Sequence, residues 1–133
     1  NASNKEEVIS KMVDQIKKFK NSPDNFYDLV LEREKMAVTA FGNQVAIPHP
    51  NKAVTDETFV CVAVLHKPVL WDKHKVQFIF MMSLKKDSSD HLQRFSAITS
   101  KMLFSKSYIY EIIHQPAYET MMSILATIEQ EMD

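Results

Sequence analysis

Two nearly unbroken apolar runs, Phe59-Val60-Cys61-Val62-Ala63-Val64-Leu65 and Val76-Gln77-Phe78-Ile79-Phe80-Met81-Met82, constrain the fold more than any other feature of the chain. β-Branched and aromatic side chains suit a pleated surface. Runs that do not alternate with polar residues belong to strands buried on both faces, which places them in a central sheet covered by helices on two sides. Val45 to Ile47 adds a short strand. Pro68-Val69-Leu70-Trp71 reads as a separate short edge strand, because proline is tolerated there.

Helical spacing brackets these strands. Val8, Ile9, Met12, Val13, Ile16 and Phe19 recur on one face from Lys5 to about Lys20, behind a capping box at Ser3-Asn4-Lys5-Glu6. Ser22-Pro23 restarts a helix, with serine as N-cap and proline in the first turn, running through Phe26, Leu29 and Val30 to about Lys35. Met36 to Asn43 is a connection, and its Gly42, the chain's one glycine, is expected to hold a backbone shape other residues avoid. Asp87-Ser88-Ser89-Asp90 opens a third helix carrying His91, Leu92, Phe95, Ile98 and Met102. Ser105 to His114 forms a fourth, and Pro116 separates it from a fifth through Met121, Met122, Ile124, Leu125 and Ile128. The order α, α, β, β, β, β, α, α, α contains no repeat. It implies a three-layer α/β/α sandwich with a small mixed β-sheet flanked by helices, not a regular βαβ winding.

The 133 residues fit one domain, residues 1–133, since domains are commonly about 100–150 residues long. The first residue is Asn1, so the chain is expected to be one domain cut from a longer protein. A net charge of −1 and no basic stripe argue against direct nucleic-acid binding. No apolar stretch reaches the roughly 18 residues of a membrane span, and no signal peptide is visible. Cys61 has no cysteine partner and lies in an apolar run, so it is expected to be inert, and a reducing cytoplasm is the expected location.

The histidines are His49, His66, His74, His91 and His114. None is spaced with another as metal ligands are, so neither a metal nor any other cofactor is expected. There is no glycine-rich phosphate loop and no Gly-x-Ser-x-Gly elbow. What remains is histidine as a nucleophile toward phosphorus. Ala46-Ile47-Pro48-His49-Pro50 places His49 after an apolar run with a proline on each side. The rings fix φ and restrict the residue before each, so His49 is held in a narrow, extended arrangement, as a pre-positioned nucleophile needs. The alternative is a turn that happens to contain a histidine.

Two further residues offer help to a phosphoryl group. His91 starts the third helix, where N–H groups and the positive dipole end favour an anion, and Arg33 ends the second, able to present a bidentate fork. Against these stand plainer readings: His91 as a solvated residue, Arg33 as a surface partner of Glu32, Glu34 or Asp28. Trp71 reads as a core lid, His66 and His74 as rim residues, and His114 as a complement to a helix C-terminus.

Leu31-Glu32-Arg33-Glu34-Lys35-Met36, followed by Phe41-Gly42 and Val45-Ala46-Ile47-Pro48-His49, closely resembles the enzyme IIA domain of the fructose/mannitol type, a phosphoryl carrier of the bacterial sugar phosphotransferase system. Asp90-His91-Leu92-Gln93 opening a helix is a second match, and the resemblance runs from about Asn4 to Ile128. It implies that His49 is the phosphorylated residue, His91 the second active-site histidine and Arg33 the phosphate-contacting arginine. It also implies the phosphohistidine of the small carrier HPr as donor. Pro50 departs from the small residue usual after the histidine in transport-type domains. The strand that usually precedes their first helix is missing here or cut away. Pro50, Lys67-Pro68-Val69-Leu70-Trp71-Asp72 and Val76-Gln77-Phe78-Ile79-Phe80 look more like the enzyme IIA-like modules of transcriptional antiterminators and activators. The resemblance therefore implies a domain that tunes a sugar-operon regulator, with a transport component that passes phosphate to an enzyme IIB as the alternative.

Overall fold

The two apolar runs pair with each other. In the computed structural model, which describes residues 3–86 and 91–132 (His91 and Leu92 by their backbone), the helices α1 (Lys5–Phe19) and α2 (Phe26–Met36) precede four strands, β1 (Ala40–Phe41), β2 (Val45–Ala46), β3 (Phe59–Trp71) and β4 (His74–Ser83). Helices α3 (His91–Leu103), α4 (Lys106–His114) and α5 (Tyr118–Met132) follow. The proposed opening of α3 at Asp87–Asp90 lies outside the described residues. α1 through β4 form one compact unit and α3 through α5 another. The mixed sheet and helical complement match the expected α/β class.

The sheet order is β1-β2-β4-β3. β3 runs antiparallel to β4, from Phe59 opposite Ser83 to Trp71 opposite His74. β2 lies parallel to β4, with Val45 opposite Phe78, and antiparallel to β1. β4 is thus a central strand. Its consecutive residues Phe78, Ile79, Phe80 and Met81 are all buried, so both of its faces are shielded, as its sequence demands.

β3 departs from expectation in two ways. It lies at the sheet edge, where Val62 is 39% exposed. It also continues through Pro68 instead of ending before it. A register shift between Val64 and Val69 takes the ring out of the ladder, and the Gln77 side-chain amide donates to the Leu65 carbonyl at 2.8 Å beside it.

α1 lays Val8, Ile9, Met12, Val13 and Ile16 against Phe26 and Val30 of α2 and Leu65, Ile79 and Met81 of the sheet. Full burial of such side chains is worth roughly 1.5–3 kcal/mol each. Phe19 falls off this stripe and is 78% exposed, contrary to its expected place. The N-cap is Asn4, not Ser3: its Oδ1 accepts the Glu7 N–H at 2.8 Å. α2 starts after Asn25 rather than at Ser22; Pro23 instead closes a turn, its carbonyl accepting the Phe26 N–H at 3.1 Å. Gly42 does not carry the unusual backbone. Asn43 (φ 68°) and Gln44 (φ 66°) make the left-handed turn between β1 and β2, and no glycine has positive φ.

In the second unit, α3 packs against both α4 and α5, which also pack on each other. Its buried residues include Met102, Leu103, Ile109, Ile112, Ile124 and Ile128. Ser105 caps α4 by accepting the Tyr108 N–H at 3.2 Å. His114 ends α4, as its sequence position suggests. Its Nδ1 lies 2.8 Å from the Tyr110 carbonyl, and its ring stacks on Tyr110 at 3.9 Å.

Two predictions come from this packing. Asn4→Ala lowers unfolding free energy in urea by about 1 kcal/mol, whereas Ser3→Ala leaves it within about 0.5 kcal/mol; the reverse order would return the cap to Ser3. Cys61 lines an apolar groove between α1 and β3, and burial pushes its thiol pKa up. The folded state therefore favours the neutral thiol, a preference lost as pH rises through the folded-state pKa. Iodoacetamide labelling of the native protein in mildly alkaline buffer is accordingly expected to be several-fold slower than in urea, with the gap closing as pH rises further. Equal rates would refute the protection.

Candidate functional site

Ile47-Pro48-His49-Pro50 leaves the end of β2 and runs on beside β4. Prolines cannot continue a ladder, so the segment is held by the groups left to it. The Ile47 N–H donates to the Thr39 carbonyl at 3.2 Å, and the Pro48 carbonyl accepts the Met82 N–H at 3.2 Å. Further along, the Thr55 hydroxyl hydrogen-bonds the Ser83 hydroxyl at 2.8 Å, and the Lys86 N–H donates to the Thr55 carbonyl at 3.0 Å. The loop after β2 is thereby pinned at both ends to β4 and the residues just beyond it. Pro48 and Pro50 are buried, and His49 between them is half-buried.

The His49 Nδ1 lies 2.9 Å from the carbonyl oxygen of Ile47. A carbonyl only accepts, so Nδ1 carries the proton in this contact. In the neutral ring the lone pair is then on Nε2. His49 borders a cleft of about 190 Å³ with Pro50, Asn51, Lys52, Ala53, Met82 and Leu84. Asn51 donates through Nδ2 to the Glu32 carboxylate of α2, and its Oδ1 is buried without a hydrogen-bond partner among the described residues. Lys52 is exposed and brings a cation to the cleft.

The structure places the predicted helpers as follows. Arg33 sits in the last turn of α2, one residue from the Glu32 that Asn51 binds. Its Nη1 donates to the Ala37 carbonyl at 2.6 Å, closing its own helix. The expected surface pairing is not what forms: Glu32 turns to Asn51 and Glu34 turns inward. His91 is the first residue of α3, and its side chain lies outside the described residues.

Glu34 is the residue sequence reasoning missed. It is only 4% exposed. It accepts from the Thr39 hydroxyl, from the Thr39 N–H at 3.4 Å and from the Trp71 indole N–H at 3.3 Å. Phe26, Val30 and Glu34 form one buried stripe four residues apart. That spacing, with a lone tryptophan that needs a partner for its N–H, was the available signal. Trp71 is buried as a lid, as expected, and also ties the end of β3 to α2.

Among the described residues no group of three His, Cys, Asp or Glu side chains is gathered as a metal site, and no helix is long and apolar enough to cross a membrane.

Known proteins share this architecture. The crystal structure of IIA mannitol from Escherichia coli matches 94% of this chain and 91% of that one with a TM-score of 0.76 at 21% identity, a likeness of fold. A complex of enzyme IIA mannitol and phosphorylated enzyme IIB mannitol from Escherichia coli gives a TM-score of 0.78 at 20% identity, over 96% of this chain and 90% of the matched chain. The probable licABCH operon regulator of Bacillus subtilis strain 168 is 31% identical over 120 residues, 90% of this chain, and the transcriptional regulator ManR of the same strain is 34% identical over 87 residues, 65% of this chain. The chain spans 19% and 12% of the lengths of these two regulators. A model of the family described as the phosphoenolpyruvate-dependent sugar phosphotransferase system, EIIA 2, matches residues 1–128, and the chain belongs to that family.

Proposed function

We propose that this domain carries a phosphoryl group on Nε2 of His49. The observation that carries the reading is the His49 contact itself. With Nδ1–H held on the Ile47 carbonyl at 2.9 Å, the free lone pair belongs to a half-buried ring bordering a cleft. The donor is the phosphohistidine of HPr. As the P–Nε2 bond forms, the donor's N–P bond breaks and its imidazole leaves; the phosphoryl group is all that changes hands. The cargo brings about two negative charges. Arg33, Lys52 and His91 are the groups that would offset them, Arg33 by exchanging its bond to Ala37 for one to a phosphoryl oxygen.

The operon regulators among the relatives favour a module cut from a longer cytoplasmic protein, in which the load on His49 tunes transcription of a sugar operon. The second reading is a transport component that hands phosphate to an enzyme IIB. A PTS system EIIABC component of Escherichia coli among the relatives and the IIA–phosphorylated IIB complex among the structures favour it. Transfer from the loaded domain to a matched IIB separates the two readings.

Incubation with phosphoenolpyruvate, enzyme I and HPr is expected to add one phosphoryl group, alkali-stable and acid-labile, as an Nε2-phosphohistidine. His49→Ala abolishes it; undiminished labelling of that variant would reject His49 as acceptor. Arg33→Ala removes a charge-assisted bond of about 1.5–3 kcal/mol to the transferring group, a roughly ten- to hundredfold loss of rate. Stopped-flow transfer from phospho-HPr checks this, and a wild-type rate in the folded variant would confine Arg33 to capping α2.

A further inference from the structure

Resting on the reading of His49 as acceptor, we propose that Glu34 is a positioning residue. Through Thr39 and Ile47 it holds His49 as the Nδ1–H tautomer and so reserves Nε2 for phosphorus.

Hydrogen bonds run residue by residue from Glu34 to His49. Glu34 accepts both the hydroxyl and the N–H of Thr39. The Thr39 carbonyl accepts the Ile47 N–H at 3.2 Å. The Ile47 carbonyl in turn takes the Nδ1–H of His49 at 2.9 Å. The link is positional: Glu34 fixes Thr39, and the Thr39 carbonyl fixes the Ile47 N–H, while the Ile47 carbonyl belongs to the Ile47–Pro48 amide, which has no N–H of its own. The chain begins at an anion and ends on the imidazole.

A neutral imidazole left to itself in water prefers its proton on Nε2. The opposite tautomer needs a fixed acceptor facing Nδ1, and a carbonyl two residues back along the chain faces it only if the peptide between them is held. Pro48 and Pro50 restrict that peptide but cannot orient the Ile47 carbonyl by hydrogen bonding, since neither ring has an N–H. The Ile47–Pro48 segment is held on one side by the Pro48 carbonyl, which accepts from the Met82 N–H, and on the other by the Ile47 N–H on Thr39; Glu34 acts on the second hold.

Packing alone does not account for a carboxylate here. A well-packed apolar side chain at a buried position is often as stabilising as a buried charge. Glu34 continues the Phe26–Val30 stripe, so leucine would suit that stripe on packing grounds. The cost of the charge is offset by Thr39, by Trp71 and by the ammonium of Lys5, which feels Glu34 electrostatically while bonding Asp72 at 2.7 Å.

The test reads the tautomer directly, by two-bond 1H–15N correlation spectra of histidine in the unphosphorylated full chain in mildly alkaline buffer. Wild-type His49 is expected to show the Nδ1–H pattern. Glu34→Gln, which puts an NH2 group where Thr39 and Trp71 both donate, shifts His49 toward Nε2–H and slows phosphoryl transfer several-fold. Thr39→Val, lacking the hydroxyl, moves it the same way and serves if Glu34→Gln does not fold. Trp71→Phe costs stability but leaves the Glu34–Thr39 contacts, so His49 keeps its wild-type pattern. Backbone amide spectra of the buried first-unit residues Phe78 to Met81 report that each variant is folded. Wild-type His49 protonated on Nε2, or an unchanged His49 in folded Glu34→Gln and Thr39→Val, overturns the proposal. A tautomer that shifts as stated in a protein HPr cannot label would instead sink the acceptor reading and leave this one standing.

Discussion

β4 is the strand on which the rest hangs. Its residues Phe78 to Met81 are buried on both faces, so their positions are fixed by packing rather than by any one hydrogen bond. Everything near His49 takes its coordinates from that strand. Val45 and Ala46 pair with Phe78 and Ile79, Pro48 accepts from Met82, and Thr55 reaches Ser83. A loop with two prolines has few N–H groups with which to hold itself. It is rigid here because a strand that cannot move offers it N–H and hydroxyl partners at three successive places.

That dependence explains how much the sequence could disclose. β4 was legible because apolar residues on both faces of a strand are a statement about burial that holds whatever its neighbours are. β3 carries the same kind of run yet lies at the edge, because composition records an apolar surrounding and not the number of flanking strands. β1 went unseen because two residues have no periodicity; Ala40 and Phe41 are a strand only through their pairing with Ala46 and Val45. Pro68 appeared to divide two strands, and a bulge backed by the Gln77 amide joins them instead. The caps slipped by one residue at Asn4 and by three at Asn25, since several polar residues in a row can each cap and tertiary contacts choose among them.

At the site, the prolines around His49 were readable because they act on backbone dihedrals directly. Glu34 was not, because a glutamate between Arg33 and Lys35 looks like one more surface charge. Its burial becomes evident only when Trp71, thirty-seven residues away, supplies an indole N–H to it. A separation of nineteen residues likewise hid the Glu32–Asn51 bond. Alternate residues of one short helical turn thus do different jobs: Glu34 faces the interior, Glu32 the loop that follows His49, and Arg33 between them closes the helix on Ala37.

Pro50 sets the electrostatic problem of the loaded site. Next to His49, the proposed acceptor, Pro50 has no N–H to offer a phosphoryl oxygen. Asn51 gives its NH2 group to Glu32, and its oxygen is buried without a hydrogen-bond partner among the described residues. Neither residue's described groups offer a side-chain donor to the cleft. On the proposed reading the charge is met by Lys52 on the exposed rim and by Arg33 if it leaves the Ala37 carbonyl. Lys52 is solvated and flexible, and an exposed ion pair is worth no more than about 1 kcal/mol. If His49 carries a phosphoryl group as proposed, these contacts would hold it moderately rather than tightly, as reversible carriage requires.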